Sequence, residues 1–91
     1  MHYVYFIQSQ KNLKIYVGST DLLPEERLIQ HNAGLNTFTK ANRPFKLIYY
    51  ESYACKQDAR LREKFYKSGF GRIVKKAIVE SLKTWGGSSI G

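Results

Sequence analysis

A chain of 91 residues has room for one domain with a modest core and no room for two. Fifteen Lys+Arg against seven Asp+Glu leave a formal net charge of +8, which points first to a polyanionic partner such as nucleic acid, with a basic surface serving only solubility as the alternative. The 43% apolar content excludes a disordered basic tail, and no apolar run approaches the roughly 18 residues of a membrane span.

The first residues, His2-Tyr3-Val4-Tyr5, carry no basic segment, apolar stretch or small-residue cleavage site of a secretory signal, so a reducing cytoplasm is the expected location and a membrane partner is not expected. Residues 2–8 (HYVYFIQ) and 14–19 (KIYVGS) are rich in aromatic and β-branched types and flank a short polar stretch, which predicts a β-hairpin. With a loop of even length, Ile7 faces Lys14 and Tyr5 faces Tyr16, and both phenols project from one face of the sheet. A loop of odd length without a bulge places them on opposite faces.

A helix is expected next, with Asp21 as its cap, Pro24 in the first turn, Glu25 and Glu26 at the positive end, and Gly34 as a left-handed stop. On it Arg27 and His31 share a face, and Leu28 and Ile29 offer the apolar contact to the sheet. Residues 35–45 lack periodicity and hold Lys40 and Arg43, which predicts an ordered basic loop suited to phosphates. Lys46 to Tyr53 reads as a third strand, central because LIYY is nearly continuously apolar or aromatic.

From Ala54 to Lys67 the pattern is helical and closes at Gly69, with Leu61, Phe65, Cys55 and Ala59 on the buried side and Glu63 at its flank. Lone Cys55 lacks any zinc-like or CxxC spacing and reads as a small packing residue. From Arg72 the spacing of Ile73, Val74, Ala77, Ile78, Leu82 and Trp85 gives an amphipathic helix with Lys75, Lys76 and Lys83 outside. The outcome is an α+β fold of order β-β-α-β-α-α, a small, mainly antiparallel three-stranded sheet flanked by helices. It forms one domain over residues 1–85, with 86–91 as a flexible tail. Rossmann and P-loop readings fail, because Gly69-Phe70-Gly71 follows a helix and no phosphate-loop lysine motif exists.

Taken singly, a strand tyrosine is ordinarily a packing residue and a helical glutamate a solvated charge. Together, Tyr3-Val4-Tyr5, Tyr16-Val17-Gly18, Arg27 with His31, and Glu63 within Ala59-Arg60-Leu61-Arg62-Glu63-Lys64 resemble the GIY-YIG nuclease superfamily over roughly residues 1–72. The stretches from Arg43 to Glu51 and from Glu63 to Gly69 are most similar to the small stand-alone domains related to the N-terminal nuclease domain of the bacterial excinuclease. Tyr3 occupies the first motif's glycine place and Val17 the second motif's isoleucine place. Ser19 stands where some relatives carry a lysine, and no residue here is assigned to their late asparagine.

The resemblance implies a phosphodiesterase that uses one Mg²⁺ or Mn²⁺ ion. By motif match Tyr5 and Tyr16 are the paired tyrosines, Arg27 the helix arginine, Glu63 the metal-binding carboxylate, and His31 a histidine common in this branch. Chemically, Glu63 suits a hard, hydrated ion, Arg27 can fork onto a phosphate oxygen, Tyr5 is the candidate base with Tyr16 holding the water or the Tyr5 hydroxyl, or the two tyrosines exchange roles, and His31 assists proton transfer or contacts phosphate. A phenol becomes a base near neutral pH only if nearby cations stabilise its phenolate by about 4 kcal/mol. Gly18 fits close approach of backbone to substrate, and Lys40, Arg43, Arg60 and Arg72 are the expected nucleic-acid contacts. No base-reading helix is evident, so the expected activity is structure-directed or weakly sequence-specific cutting of DNA in repair or recombination, with RNA kept open and a protein partner for targeting. A nucleic-acid-binding module of the same fold that cuts poorly is the second expectation, and a protein-interaction domain the third.

Overall fold

The computed structural model describes residues 1–90, with side chains through Lys83. Its elements follow the expected order: β1 (His2–Ser9), β2 (Ile15–Thr20), α1 (Pro24–Asn32), a 3-10 turn (Lys40–Asn42), β3 (Phe45–Tyr53), α2 (Lys56–Lys67) and α3 (Gly69–Ile90). The sheet is antiparallel throughout, in the order β2-β1-β3. β1, not β3, is therefore the central strand. Val4, Tyr5, Phe6 and Ile7 are all buried in succession, the pattern of a strand covered on both faces. The LIYY run of β3 lies on an edge, where tyrosines keep an apolar ring inside and a polar tip near water; Tyr50 is 47% exposed.

The two faces of β1 feed two cores. Val4 and Phe6 join Val17, Ala59 and Tyr66, with Tyr49, Phe65, Val74, Ile78 and Val79 packed around them under α2 and α3. Tyr5 and Ile7 join Phe45, with Tyr16, Leu28 and Leu47 packed against them. The second core lies on the side covered by α1, which supplies Leu28. The sheet thus separates one helix from two, and β2 forms an edge at which the layers meet.

Several sequence expectations shift. Asp21 does not cap α1; Leu23 holds the cap position with no side-chain bond, while Pro24 opens the helix as expected. Gly34 adopts the expected left-handed conformation, φ 81°. Ile29 is exposed, because the α1 stripe runs through Leu28 and His31 and places Ile29 a helical step away. On α2 the buried line is Ala59 and Tyr66, which puts Leu61 on the outer side, and Cys55 is an exposed residue at the helix entry, not a packing residue. On α3 the inward stripe is Val74, Ile78, Val79 and Leu82; Ile73 and Ala77 fall on the exposed flank, and Lys75 is half-buried. The readings of Trp85 and of the 86–91 tail lie outside the described side chains. Among the described residues, no helix is long and apolar enough to cross a membrane.

A carboxylate ties β3 to α2. Glu51 accepts hydrogen bonds from Tyr49 (2.7 Å), Tyr53 (2.5 Å) and Tyr66, and from Arg62 Nε at 3.2 Å. Burial disfavours the charged carboxyl, but these four donors outweigh it and hold the Glu51 pKa below its ordinary value. Burial, with the same carboxylate, pushes the phenols of Tyr49 and Tyr53 up to about 12.

Candidate active site

The hairpin register decides which side chains can meet. Tyr5 pairs with Gly18 and Ile7 with Tyr16, a two-residue slide from the expected pairing of Tyr5 with Tyr16. The loop takes up the difference: Ser9 N–H bonds Lys14 O at 2.9 Å, and Leu13 turns through φ 64°. An even slide preserves the face, so the tyrosines are diagonal neighbours on one side of the sheet. Gly18 acquires a structural reason at this point. A Cβ there would stand 2.6 Å from Tyr5 Cζ, so the missing side chain is what lets the Tyr5 phenol lie across β2 toward the sheet edge.

Above that face, α1 delivers His31. The imidazole is 0% exposed, bonds Tyr5 Oη through Nε2 at 2.8 Å and Thr39 Oγ1 through Nδ1 at 2.7 Å, and makes edge contacts with both the Tyr5 and Tyr16 rings. One arrangement gives every hydrogen an acceptor. The Tyr5 hydroxyl donates to Nε2, Nδ1–H donates to Thr39, and the Thr39 hydroxyl donates to Asn36 O at 3.5 Å. Burial and the neighbouring Arg27 guanidinium lower the His31 pKa to about 4, so the ring is neutral at physiological pH and, in that arrangement, Nε2 is the acceptor.

Tyr5 is 2% exposed, and its burial raises its pKa; the Arg27 guanidinium pulls the other way without winning, and the charges of Tyr16 and Glu63 add to the rise. The cationic stabilisation expected from the sequence does not prevail within the chain alone. Arg27 is held by a 2.6 Å bond from Nη1 to Gln30 Oε1 one turn on and also hydrogen-bonds the Tyr5 phenol, which ties the guanidinium to the tyrosine side of the site.

Glu63 arrives from the opposite helix layer. Its Oε1 accepts from Ser19 Oγ at 2.6 Å and its Oε2 pairs with Lys67 Nζ at 2.7 Å, while Lys67 Nζ also stands 6.0 Å from the centre of the Tyr16 ring. The site therefore straddles the β2 edge, with Tyr5, Tyr16, Arg27 and His31 on the α1 side and Glu63, Ser19 and Lys67 on the α2 side. A half-buried carboxylate beside a hydroxyl is an all-oxygen donor set suited to a hard ion that keeps most of its waters. Among the described residues, no cluster of three or more His, Cys, Asp and Glu exists, so the donors fit a one-carboxylate site and not a multi-ligand cage.

Of the expected nucleic-acid contacts, Arg60 lies on the wall of a cleft that also includes Ser19 and Arg27. Lys40 and Arg43 gather over Gly34, on the loop that supplies Thr39, and Arg72 sits at the start of α3. None of these three belongs to that cleft wall. Sequence reasoning missed Thr39, because a threonine in an aperiodic loop carries no signal of what it will touch. It also missed Lys67, although its position one turn after Glu63 on a helix is the spacing of an ion pair.

The model of the GIY-YIG catalytic domain matches residues 1–77. The chain is similar to a UPF0213 protein of Staphylococcus haemolyticus, 38% identical over 80 residues, covering 87% of this chain and 94% of that protein. A UPF0213 protein of Bacillus pumilus is 32% identical over 83 residues, covering 90% of this chain and 82% of that one. A third, from Clostridium perfringens, is 37% identical over 68 residues, covering 74% and 71%. No solved structure matches at a significant level. With the tyrosine pair, the helix arginine and the glutamate gathered at one sheet edge under a family match that spans most of the chain, this protein belongs to the GIY-YIG nuclease family.

Proposed function

We propose that this protein is a divalent-metal-dependent endonuclease that hydrolyses DNA phosphodiester bonds, structure-directed or weakly sequence-specific, in repair or recombination. The observation that supports it best is the meeting, at the β2 edge, of a buried phenol bonded to a neutral imidazole with a carboxylate from the opposite helix layer. Phosphodiester hydrolysis needs a base for water, positive charge for the phosphoryl oxygens and an acid for the leaving alkoxide. Glu63, with Ser19 beside it, would hold Mg²⁺ or Mn²⁺. The ion would supply Lewis acidity toward the phosphate.

The remaining chemistry belongs to the chain. Ionising Tyr5 at neutral pH costs more than about 4 kcal/mol, since its pKa lies above the ordinary value near 10. Protonating His31, with a pKa of about 4, costs about 4 kcal/mol at pH 7. Passing the Tyr5 proton to Nε2 while the phenol oxygen takes a proton from the attacking water avoids a free phenolate. Thr39 fixes the tautomer that makes this possible, and Tyr16 and Arg27 position water and phosphate. The proposed setting is the cytoplasm, with DNA as substrate, RNA as the chemically equivalent alternative, and a protein partner directing the domain to its target.

A second reading, a nucleic-acid-binding module that cuts weakly, draws on one observation: Lys67 already occupies one oxygen of Glu63. One experiment separates the two. Supercoiled plasmid and branched DNA are incubated with Mg²⁺ or Mn²⁺ and wild type, Glu63→Gln or Tyr5→Phe, with binding measured in parallel. The nuclease reading expects both variants to lose about 100-fold or more in cutting at nearly unchanged Kd. If wild type binds DNA and nicks nothing, the binding module stands in its place.

A further inference from the structure

Beside the catalytic cluster, on the same sheet edge, a cleft of about 350 Å³ opens between the end of β2, α1 and the first turns of α2. That volume falls at the lower end of the roughly 300–1,000 Å³ typical of small-ligand sites. Its floor includes Ala59, 1% exposed, whose small side chain leaves the space open. Three cations, Arg27, Lys56 and Arg60, and one carboxylate, Asp21, line its walls. Among the described residues, the ion pairs are Arg62 with Glu51, Lys67 with Glu63 and Lys83 with Glu80, so none of these three cations is neutralised within the chain.

The mixed lining narrows the ligand. A cleft built for a bare anion has no use for Asp21, whose charge opposes it, or for the Gln30 amide, which also lines the wall. Asp21 accepts hydrogen bonds from a sugar hydroxyl or from the amino and imino groups of a base, the Gln30 amide, whose oxygen holds Arg27, donates from its NH2 to a base carbonyl or ring nitrogen, and the lysine and arginines hold a phosphate. The cleft also connects to the chemistry. Ser19, on its wall, donates to Glu63, and Arg27, also on its wall, lies beside Tyr5. We infer that this cleft holds one nucleotide of the substrate strand next to the scissile phosphate, its phosphate between Lys56 and Arg60 and its sugar and base toward Asp21 and Gln30. The inference rests on the nuclease reading for its position in the reaction, but the binding it requires does not depend on cutting.

The test uses binding alone, on the full chain carrying Glu63→Gln. A 5′-phosphorylated dinucleotide is titrated while backbone amide shifts are followed by NMR, with the unphosphorylated dinucleoside and inorganic phosphate as comparisons. The expected result is a cluster of shifts at Ser19, Thr20, Leu22 and Ala59, with an affinity for the phosphorylated dinucleotide at least about tenfold above either comparison, a gap of about 1.4 kcal/mol. Lys56→Gln with Arg60→Gln, both exposed and so compatible with the fold, removes the shifts and lowers the salt slope of oligonucleotide binding by about 2. Shifts confined to other residues, or inorganic phosphate binding as tightly as the dinucleotide, would overturn the assignment. Wild type that fills the cleft in this way yet cuts nothing with Mg²⁺ or Mn²⁺ would overturn the nuclease reading and leave the cleft standing.

Discussion

Acid should loosen this fold through one residue well above the pH at which its carboxylates titrate. His31 has 0% exposure and a folded pKa of about 4 against an ordinary 6.5, because burial and Arg27 both disfavour its charged form. With the folded pKa depressed, the contribution of the neutral ring is fully present above the ordinary value and is lost as pH falls toward the folded one. At pH 7 the unfolded histidine is about a quarter protonated and the folded one essentially not at all. At pH 5 the unfolded histidine is almost fully protonated and the folded one about a tenth protonated. Integrating between these limits gives a loss of about 2 kcal/mol. For a domain of this size that is a fall in Tm of roughly 8–16 °C. Thermal or urea unfolding at the two pH values, compared with His31→Gln, measures it: the variant is less stable at pH 7 but loses far less on acidification. NMR of the imidazole nitrogens supplies a check independent of the variant, with proton occupancy on Nδ1 and no titration until near pH 4. A wild-type ring that titrates near 6.5, or a glutamine variant with the same acid loss, would refute both the burial argument and the proton chain to Tyr5.

Two further substitutions probe the supports of the site. Gly18→Ala forces a methyl group into the Tyr5 ring, which should cost about 1–3 kcal/mol of stability and, by displacing the phenol, reduce cutting more than DNA affinity; unchanged activity would deny the ring its place across β2. Glu51→Gln removes the charge that four donors share, with an expected loss of about 2 kcal/mol at pH 7. Because the folded pKa of Glu51 is lowered, that difference should persist above its ordinary value near 4.5 and shrink as pH drops through the folded one, read from unfolding curves of wild type and variant.

Some of this molecule is legible one residue at a time. The hairpin, Pro24 at a helix start, Gly34 at a left-handed stop and the order of elements all follow from local backbone preferences, which act over a few residues. The shared face of Tyr5 and Tyr16 holds even with a different partner for each, because strand faces alternate with a period of two and the register slides by two. The motif order that identifies the family also names Arg27, His31 and Glu63 as candidates for one site. What each of them touches does not follow. That β1 is central depends on which strand both neighbours choose, and LIYY in β3 is as apolar as an edge strand of tyrosines can be.

Residue order alone thus specifies one basic α+β domain, two phenols on a common face, and an arginine, a histidine and a glutamate in the succession of a nuclease family. What those groups can do is set by packing. Folding buries Tyr5 so that its pKa rises, sets Thr39 against His31 Nδ1, and brings Ser19 of β2 to Glu63 of α2. It also leaves Arg27, Lys56 and Arg60 around a cleft of about 350 Å³. Desolvation and hydrogen bonding depend on neighbours far apart in the chain, whereas helix, strand and turn preferences depend on residues only a few positions away.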